Sequence, residues 1–362
     1  MHGQVFKEIG FNYHQKLKFQ QGTTGAEVVA ALPDSVTVVI TGPTPGGLGL
    51  QTAVFLAASK PSTILLLGRE ESKDALAVES VKATSPSTTV RLVYCDLEMY
   101  SSIRTAAKTI LATTPKIHTL INNAGVIAPA NYRTTPEGLE VQFGINHIGH
   151  FLLTNLLMLS ILAAASEGAR IVSLSSSGWS LGEVRFDDYN FTSGKNWNKW
   201  KAYGQSKTVN ILFTVELARR LEGRDVQAFA LHPGLIFTNL EREMDIERDL
   251  VSIFEAFNGR GYVKIEDPMP FKTLETGSST TLVAALDPAL KITFFSLTTE
   301  PRFNSSNLST LKQATLVYSS LIAKSFKRLI IPQIQSMRRN GGQQVRKTWG
   351  RNLIGEDINL QN

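Results

Sequence analysis

The sequence predicts a parallel, doubly wound α/β sheet flanked by helices, and three observations predict it. Short β-branched apolar runs alternate with longer stretches of helical spacing from Ser35 onward. The runs are apolar almost throughout, as in a sheet covered on both faces. Between the first run and the first helical stretch stands a glycine-rich turn, Thr41-Gly42-Pro43-Thr44-Pro45-Gly46-Gly47-Leu48-Gly49. A turn of that kind lets the backbone approach a phosphate at a helix N-terminus.

The elements follow in order. Strands are expected at 36–41, 63–67, 89–94, 117–121, 169–174 and 226–231. Helices are expected at 48–59, 71–83, 101–112, 136–165 and 202–221, and again at 273–286 before Asp287-Pro288. Residues 1–34 form an N-terminal extension with a short helix at 27–32, stopped by Pro33. Residues 35–290 form one Rossmann-type domain. From Lys291 the alternation fades, and 291–362 reads as an atypical C-terminal tail with a strand candidate at 292–297 and helical spacing at 310–331.

Composition narrows the function classes. Of 362 residues, 43% are hydrophobic and 19% charged, which is ordinary globular usage. The lone Cys95 forms no internal disulfide and no cysteine zinc site, so a reducing, cytoplasmic setting is expected. The charge of +6 is uneven: 291–362 carries 11 basic and 3 acidic residues, and 1–290 carries 26 and 28. A nucleic-acid role would rest on the tail alone, and none is expected. The N-terminus has no apolar signal core. The longest apolar stretch, 151–165, falls short of the roughly 20 residues of a span, so no transmembrane segment is expected. The six histidines lack metal-ligand spacing, and no metal site is expected.

The chemistry sits at the ends of the strands. Arg69 follows the second strand, where a cation accommodates a ribose 2′-phosphate and an acid binds the free hydroxyl. Asp96-Leu97 follows the third strand, on the adenosine side, where Asp96 could equally cap a helix. Asn122-Asn123-Ala124-Gly125 follows the fourth, with small residues suited to backbone lying against a ligand. The fifth ends in Ser175-Ser176-Ser177, where a hydroxyl could reach a reacting oxygen, with the register open by one residue. Tyr203 and Lys207, four apart, share one helix face. A nearby ammonium favours the phenolate and draws tyrosine down from about 10 toward working pH.

In this order, and with Asn146-His147-Ile148-Gly149-His150-Phe151 and His232-Pro233-Gly234-Leu235-Ile236-Phe237-Thr238, the motifs resemble the short-chain dehydrogenase/reductase family. Within it the chain is similar to the retinol-dehydrogenase-like and WW-domain-oxidoreductase-like members, over residues 24–290. The resemblance implies an NADP(H)-dependent oxidoreductase acting on a small apolar carbonyl or alcohol, with self-association as one possibility. It makes Tyr203 the general acid or base and Lys207 the holder of the nicotinamide ribose. Ser176 orients the substrate oxygen, and Asn146 kinks its helix and holds a relay water. Gly42, Gly46, Gly47, Leu48 and Gly49 form the cofactor turn. Asp96, Leu97, Asn123, Ala124 and Gly125 line the adenosine side with Arg69. Pro233, Gly234, Ile236 and Thr238 meet the nicotinamide end.

Three departures stand out. The family's turn is Thr-Gly-x-x-x-Gly-x-Gly, and the Gly46-Gly47 doublet adds one residue. The segment between Ser176 and Tyr203 is long and carries Trp179, Trp197 and Trp200, which could floor an apolar pocket. The family's last strand has no counterpart after Lys291. A non-catalytic NADP-binding sensor or scaffold is the other reading, which the complete Asn146, Ser176, Tyr203 and Lys207 set opposes.

Overall fold

The computed structural model describes residues 23–29, 36–245, 248–249, 251–253, 255, 271–288 and 290. The expected extension over 1–22 and the elements expected in the tail 291–362 lie outside the described residues. Strands β1 (Thr37–Thr41), β2 (Thr63–Gly68), β3 (Thr89–Tyr94), β4 (Thr119–Asn122), β5 (Ala169–Leu174) and β6 (Val226–Leu231) make one sheet in the order β3-β2-β1-β4-β5-β6. Every pair is parallel. The order reverses between β1 and β4, and a doubly wound sheet opens its ligand crevice there, beyond the strands' carboxyl ends.

The helices are α1 (Gly25–Val29), α2 (Leu48–Ala58), α3 (Glu71–Thr84), α4 (Tyr100–Thr113), α5 (Val141–Ala163), α6 (Lys199–Arg220) and α7 (Leu274–Leu286). The strands' period of two sorts them onto opposite faces. Val38, Ile40, Ile64 and Leu66 pack with α1, α2, α3 and α7. Val39, Leu65 and Leu67 face the other way, onto α4, α5 and α6. By length and hydropathy α5 could cross a membrane, but 78% of its most apolar window is buried inside the protein. It is the helix at the centre of the second core.

Most boundaries shift for local reasons. β4 begins at Thr119, two residues later than expected; just before it the His118 N–H bonds Thr37 O, and the His118 Nδ1 accepts the Thr37 N–H. Helix α5 begins at Val141 and not at 136. A turn through Gly138, at φ +77°, joins the bridge between Thr134 and Glu140, and the Glu140 carboxylate then accepts the Phe143 N–H. Helix α6 begins at Lys199, where the Asn198 side chain caps the Trp200 and Lys201 amides. Helix α1 covers Gly25–Val29, two residues earlier than expected, and 30–35 lie outside the described residues.

Candidate active site

The crevice at the reversal is a cavity of about 340 Å³. Its floor is the glycine turn. Gly42 and Gly46 take φ of +70° and +76°, a region that favours glycine. A Cβ on Gly49 would lie 2.3 Å from Gly42 O and 2.5 Å from Asn123 Nδ2. Gly47 stands at the N-cap of α2, so that helix's free amides face the turn. Across the crevice, Asn123 Nδ2 donates to Thr41 O at 2.8 Å and to Gly42 O at 3.2 Å. The lengthened turn has a partner far along the chain, since Asn239 Nδ2 donates to Pro45 O, next to the Gly46-Gly47 doublet. Gly49→Ala is expected to weaken nucleotide binding roughly tenfold to a hundredfold, because the methyl displaces backbone that must lie against the ligand. Nucleotide titration checks this, and unchanged affinity would disprove the tight approach.

Gly42, Gly47, Leu48, Arg69, Asp96, Leu97, Asn123, Ala124 and Gly125 all line the cavity. Gly46 and Gly49 do not line it; they shape the turn from behind. Arg69 bonds Glu98 Oε1 at 3.0 Å, and Arg133 takes the other oxygen at 2.9 Å. The Glu98 carboxylate thus lies between two guanidinium groups at that corner. Asp96 does not cap α4, whose N-cap is Met99; its Oδ1 accepts the Glu98 N–H at 2.9 Å. Sequence reading missed Glu70, Asp74 and Arg242, which line the same end. The signal for Asp74 is Gly68, where a Cβ would lie 2.0 Å from the carboxylate. Burial pushes Asp74 above its ordinary value, and the Glu70 amide opposes that.

Tyr203 and Lys207 lie one turn apart on α6, with the ammonium 5.6 Å from the ring centroid. The open serine register resolves itself. Ser175 Oγ donates to Lys207 O at 2.8 Å, which ties β5 to α6. Ser176 is the serine that bonds the Tyr203 hydroxyl, and its Oγ also accepts the Gly178 N–H at 3.0 Å. Gly178 is needed there, because a Cβ would lie 2.6 Å from the tyrosine ring.

The electrostatics differ from the expected lowering of tyrosine. Burial pushes the Tyr203 phenol up to about 12; the Ser176 bond opposes this and the Glu241 charge adds to it. Burial lowers Lys207 to about 8. The ammonium donates to Leu174 O at 3.0 Å, away from the phenol, so desolvation dominates both groups.

Asn146 lies in a π-helical turn, Gly144–Gly149, inside α5. Its Oδ1 accepts the Val126 N–H at 2.8 Å, and its Nδ2 donates to Val126 O and Ser206 Oγ, both at 2.9 Å. The side chain is thus filled by protein partners, and the Asn146 backbone carbonyl accepts from Asn210 Nδ2 at 3.1 Å.

At the other end Pro233, Gly234, Ile236 and Thr238 line the cavity, with His232, Leu240 and Met244, which sequence reading did not assign. Thr238 caps the short helix Asn239–Glu243 through a capping box with Glu241. None of the three tryptophans lines the cavity. Trp200 packs behind Tyr203 with Leu181. Trp197 donates to the buried Glu140 at 3.2 Å, and Trp179 packs against Ile211 and Ala230. Among the described residues no group of three His, Cys, Asp or Glu could hold a metal.

Residues 36–249 match the short chain dehydrogenase family. The chain is 37% identical to retinol dehydrogenase 11 of Mus musculus over 260 residues, 72% of this chain and 76% of that protein. It is 41% identical to retinol dehydrogenase 13 of Homo sapiens over 224 residues, 62% of this chain and 66% of that protein. A solved short chain dehydrogenase of Shigella flexneri complexed with NADP aligns at TM-score 0.55 and 19% identity, over 73% of this chain and 97% of that one. An oxidoreductase of E. coli aligns at TM-score 0.56 and 19% identity, over 77% and 98%. At that identity the likeness to these structures is one of fold. The chain belongs to the short chain dehydrogenase family of oxidoreductases, in its retinol-dehydrogenase-like branch.

Proposed function

We propose that the protein is an NADP(H)-dependent oxidoreductase that moves a hydride between nicotinamide and the carbonyl or alcohol carbon of a small apolar molecule. The observation that carries this is the meeting of Ser176, Tyr203 and Lys207 in one cavity with a glycine turn. The turn supports a dinucleotide, since Gly42 and Gly47 bring bare backbone to the cavity wall at the start of α2. NADP supplies the hydride donor or acceptor when bound. Gly42, Gly47 and the α2 amides would hold its pyrophosphate, Arg69 the 2′-phosphate, and Lys207 the nicotinamide ribose. Pro233, Gly234, Ile236 and Thr238 would border the nicotinamide.

The chain's own residues manage orientation and the proton. Ser176 and the Tyr203 hydroxyl together would hold the substrate oxygen. A phenol raised to about 12 keeps its proton at working pH in the free protein, so it would be the group that hands a proton to the substrate oxygen when a carbonyl is reduced. Asn146 anchors the backbone at Val126 beside the site. Ile127, Leu240, Met244 and Ile253 give the remaining wall an apolar character suited to an apolar substrate. The lone, buried Cys95 suits a reducing cytoplasm, where burial pushes its thiol up to about 12 and leaves it inert.

Fluorescence titration with NADPH and NADH tests the cofactor. Arg69→Ala is expected to weaken NADPH roughly tenfold to a hundredfold, the worth of a hydrogen bond to a charged group, and to leave NADH unchanged. Equal weakening of both would remove Arg69 from 2′-phosphate recognition. A nucleotide sensor without catalysis predicts tight binding and no turnover on any carbonyl.

Lys207 adds a pH dependence. Its ammonium is present below about 8 in the free protein and is lost as pH rises through that value. NADPH affinity is expected to fall about tenfold between roughly pH 7 and 9, and Lys207→Met should flatten the profile. A wild-type profile that is already flat would count against Lys207 as the ribose holder.

A further inference from the structure

We infer that His150 is a positioning residue that fixes the direction of the Thr41 hydroxyl, and through it the backbone at Asn123-Ala124 beside the glycine turn. The inference rests on the nucleotide-binding reading above. His150 is buried on α5, one turn beyond Asn146. Both its ring nitrogens are engaged: Nδ1 lies 3.1 Å from Asn146 O, and Nε2 lies 2.8 Å from Thr41 Oγ1.

Donor and acceptor accounting gives one solution. A backbone carbonyl only accepts, so Nδ1 carries the hydrogen. Burial holds the imidazole neutral, with its pKa lowered to about 4; the bond to Asn146 O opposes the shift and the Lys207 charge adds to it. Nε2 is therefore bare and accepts. The Thr41 hydroxyl has a single hydrogen, and it goes to Nε2. Its lone pairs then receive the Asn123 and Ala124 amides, both at 3.0 Å. The other tautomer would bring a third donor to Thr41 Oγ1 and set a bare Nδ1 against a carbonyl oxygen.

This chain of bonds runs from the π-helical turn that holds Asn146 to the amides at the end of β4. It ties the side of the site that carries the proton chemistry to the side that carries the glycine turn. Asn123 completes the tie by holding Thr41 O and Gly42 O with its side chain. As a pair, His147 and His150 look like failed metal ligands; in the fold, the second is a hydrogen-bond director.

The test is a double-mutant cycle on NADPH affinity, with ¹⁵N-histidine NMR of the wild-type chain. His150→Leu and Thr41→Val are each expected to weaken binding about tenfold, and the double variant should be no weaker than the worse single one. Weakening that multiplies in the double variant would make His150 a mere packing residue and overturn the proposal. The NMR signal of His150, assigned among the six histidines by its loss in His150→Gln, should show the Nδ1–H tautomer. An Nε2–H tautomer overturns the proposal even if His150→Leu fails to fold. A wild type that binds neither nucleotide sinks the nucleotide reading and this role with it, which separates that failure from a failed cycle.

Discussion

Replacing Tyr203 with Phe is expected to lower turnover on an apolar carbonyl by about 10²–10⁴-fold, the range of a single general acid. Nucleotide affinity should stay within about threefold, because only the reacting hydroxyl is removed. The ring itself is packed: it is 4% exposed, lies in a cluster with Trp200 and Leu181, and has Gly178 pressed against it. Phenylalanine keeps all of those contacts. What it loses is the hydroxyl bonded to Ser176 and the proton that a phenol raised to about 12 holds in place. Steady-state kinetics beside an NADPH titration separate the two effects. Turnover within about tenfold of wild type would transfer the acid role to another group, with Ser176 and bound water the next to test. Loss of both binding and turnover would indicate a disturbed fold, which thermal melting of Tyr203→Phe identifies directly.

Much of this site can be read in the sequence because it stands at the ends of strands, where order along the chain sets position in space. β3, β5 and β6 have the expected bounds, since turn residues close an apolar run on both sides. The glycine turn, Asn123 and the Tyr203–Lys207 pair follow from such placement. Features built by distant partners are hidden. Nothing near Arg69 announces that Glu98 and Arg133 share its corner, and nothing near Pro45 points to Asn239. The run Ser175-Ser176-Ser177 cannot declare its own register, which the bond from Ser175 to Lys207 O sets. Charge alone would lower Tyr203, but burial on all sides makes desolvation the larger effect, and spacing along a helix does not reveal burial. The π-helical turn is invisible to periodicity, because Gly144–Gly149 lies in an apolar stretch that reads as ordinary helix.

The same burial predicts a steep acid sensitivity. Burial lowers His147 to about 3, His150 to about 4 and His232 to about 3. In the unfolded chain each returns to about 6.5. Between those values the unfolded state binds more protons, so stability rises with pH. The contribution is complete above about 6.5 and is lost progressively as pH falls toward 3–4. At pH 5 an unfolded histidine is nearly fully protonated and a buried one is nearly neutral, a difference of roughly 2 kcal/mol each. Three together give roughly 6 kcal/mol, comparable to the whole stability of many domains. Asp74, Glu140 and Glu241, whose carboxyls burial raises, act in the opposite sense and moderate the fall. Urea unfolding at pH 7 and pH 5 measures the difference, and its slope gives the proton uptake. His147→Gln should reduce that uptake by about one proton, since it removes one of the three groups. Proton uptake left unchanged by His147→Gln would mean that His147 is hydrated in the folded state and that its burial does not drive the acid sensitivity.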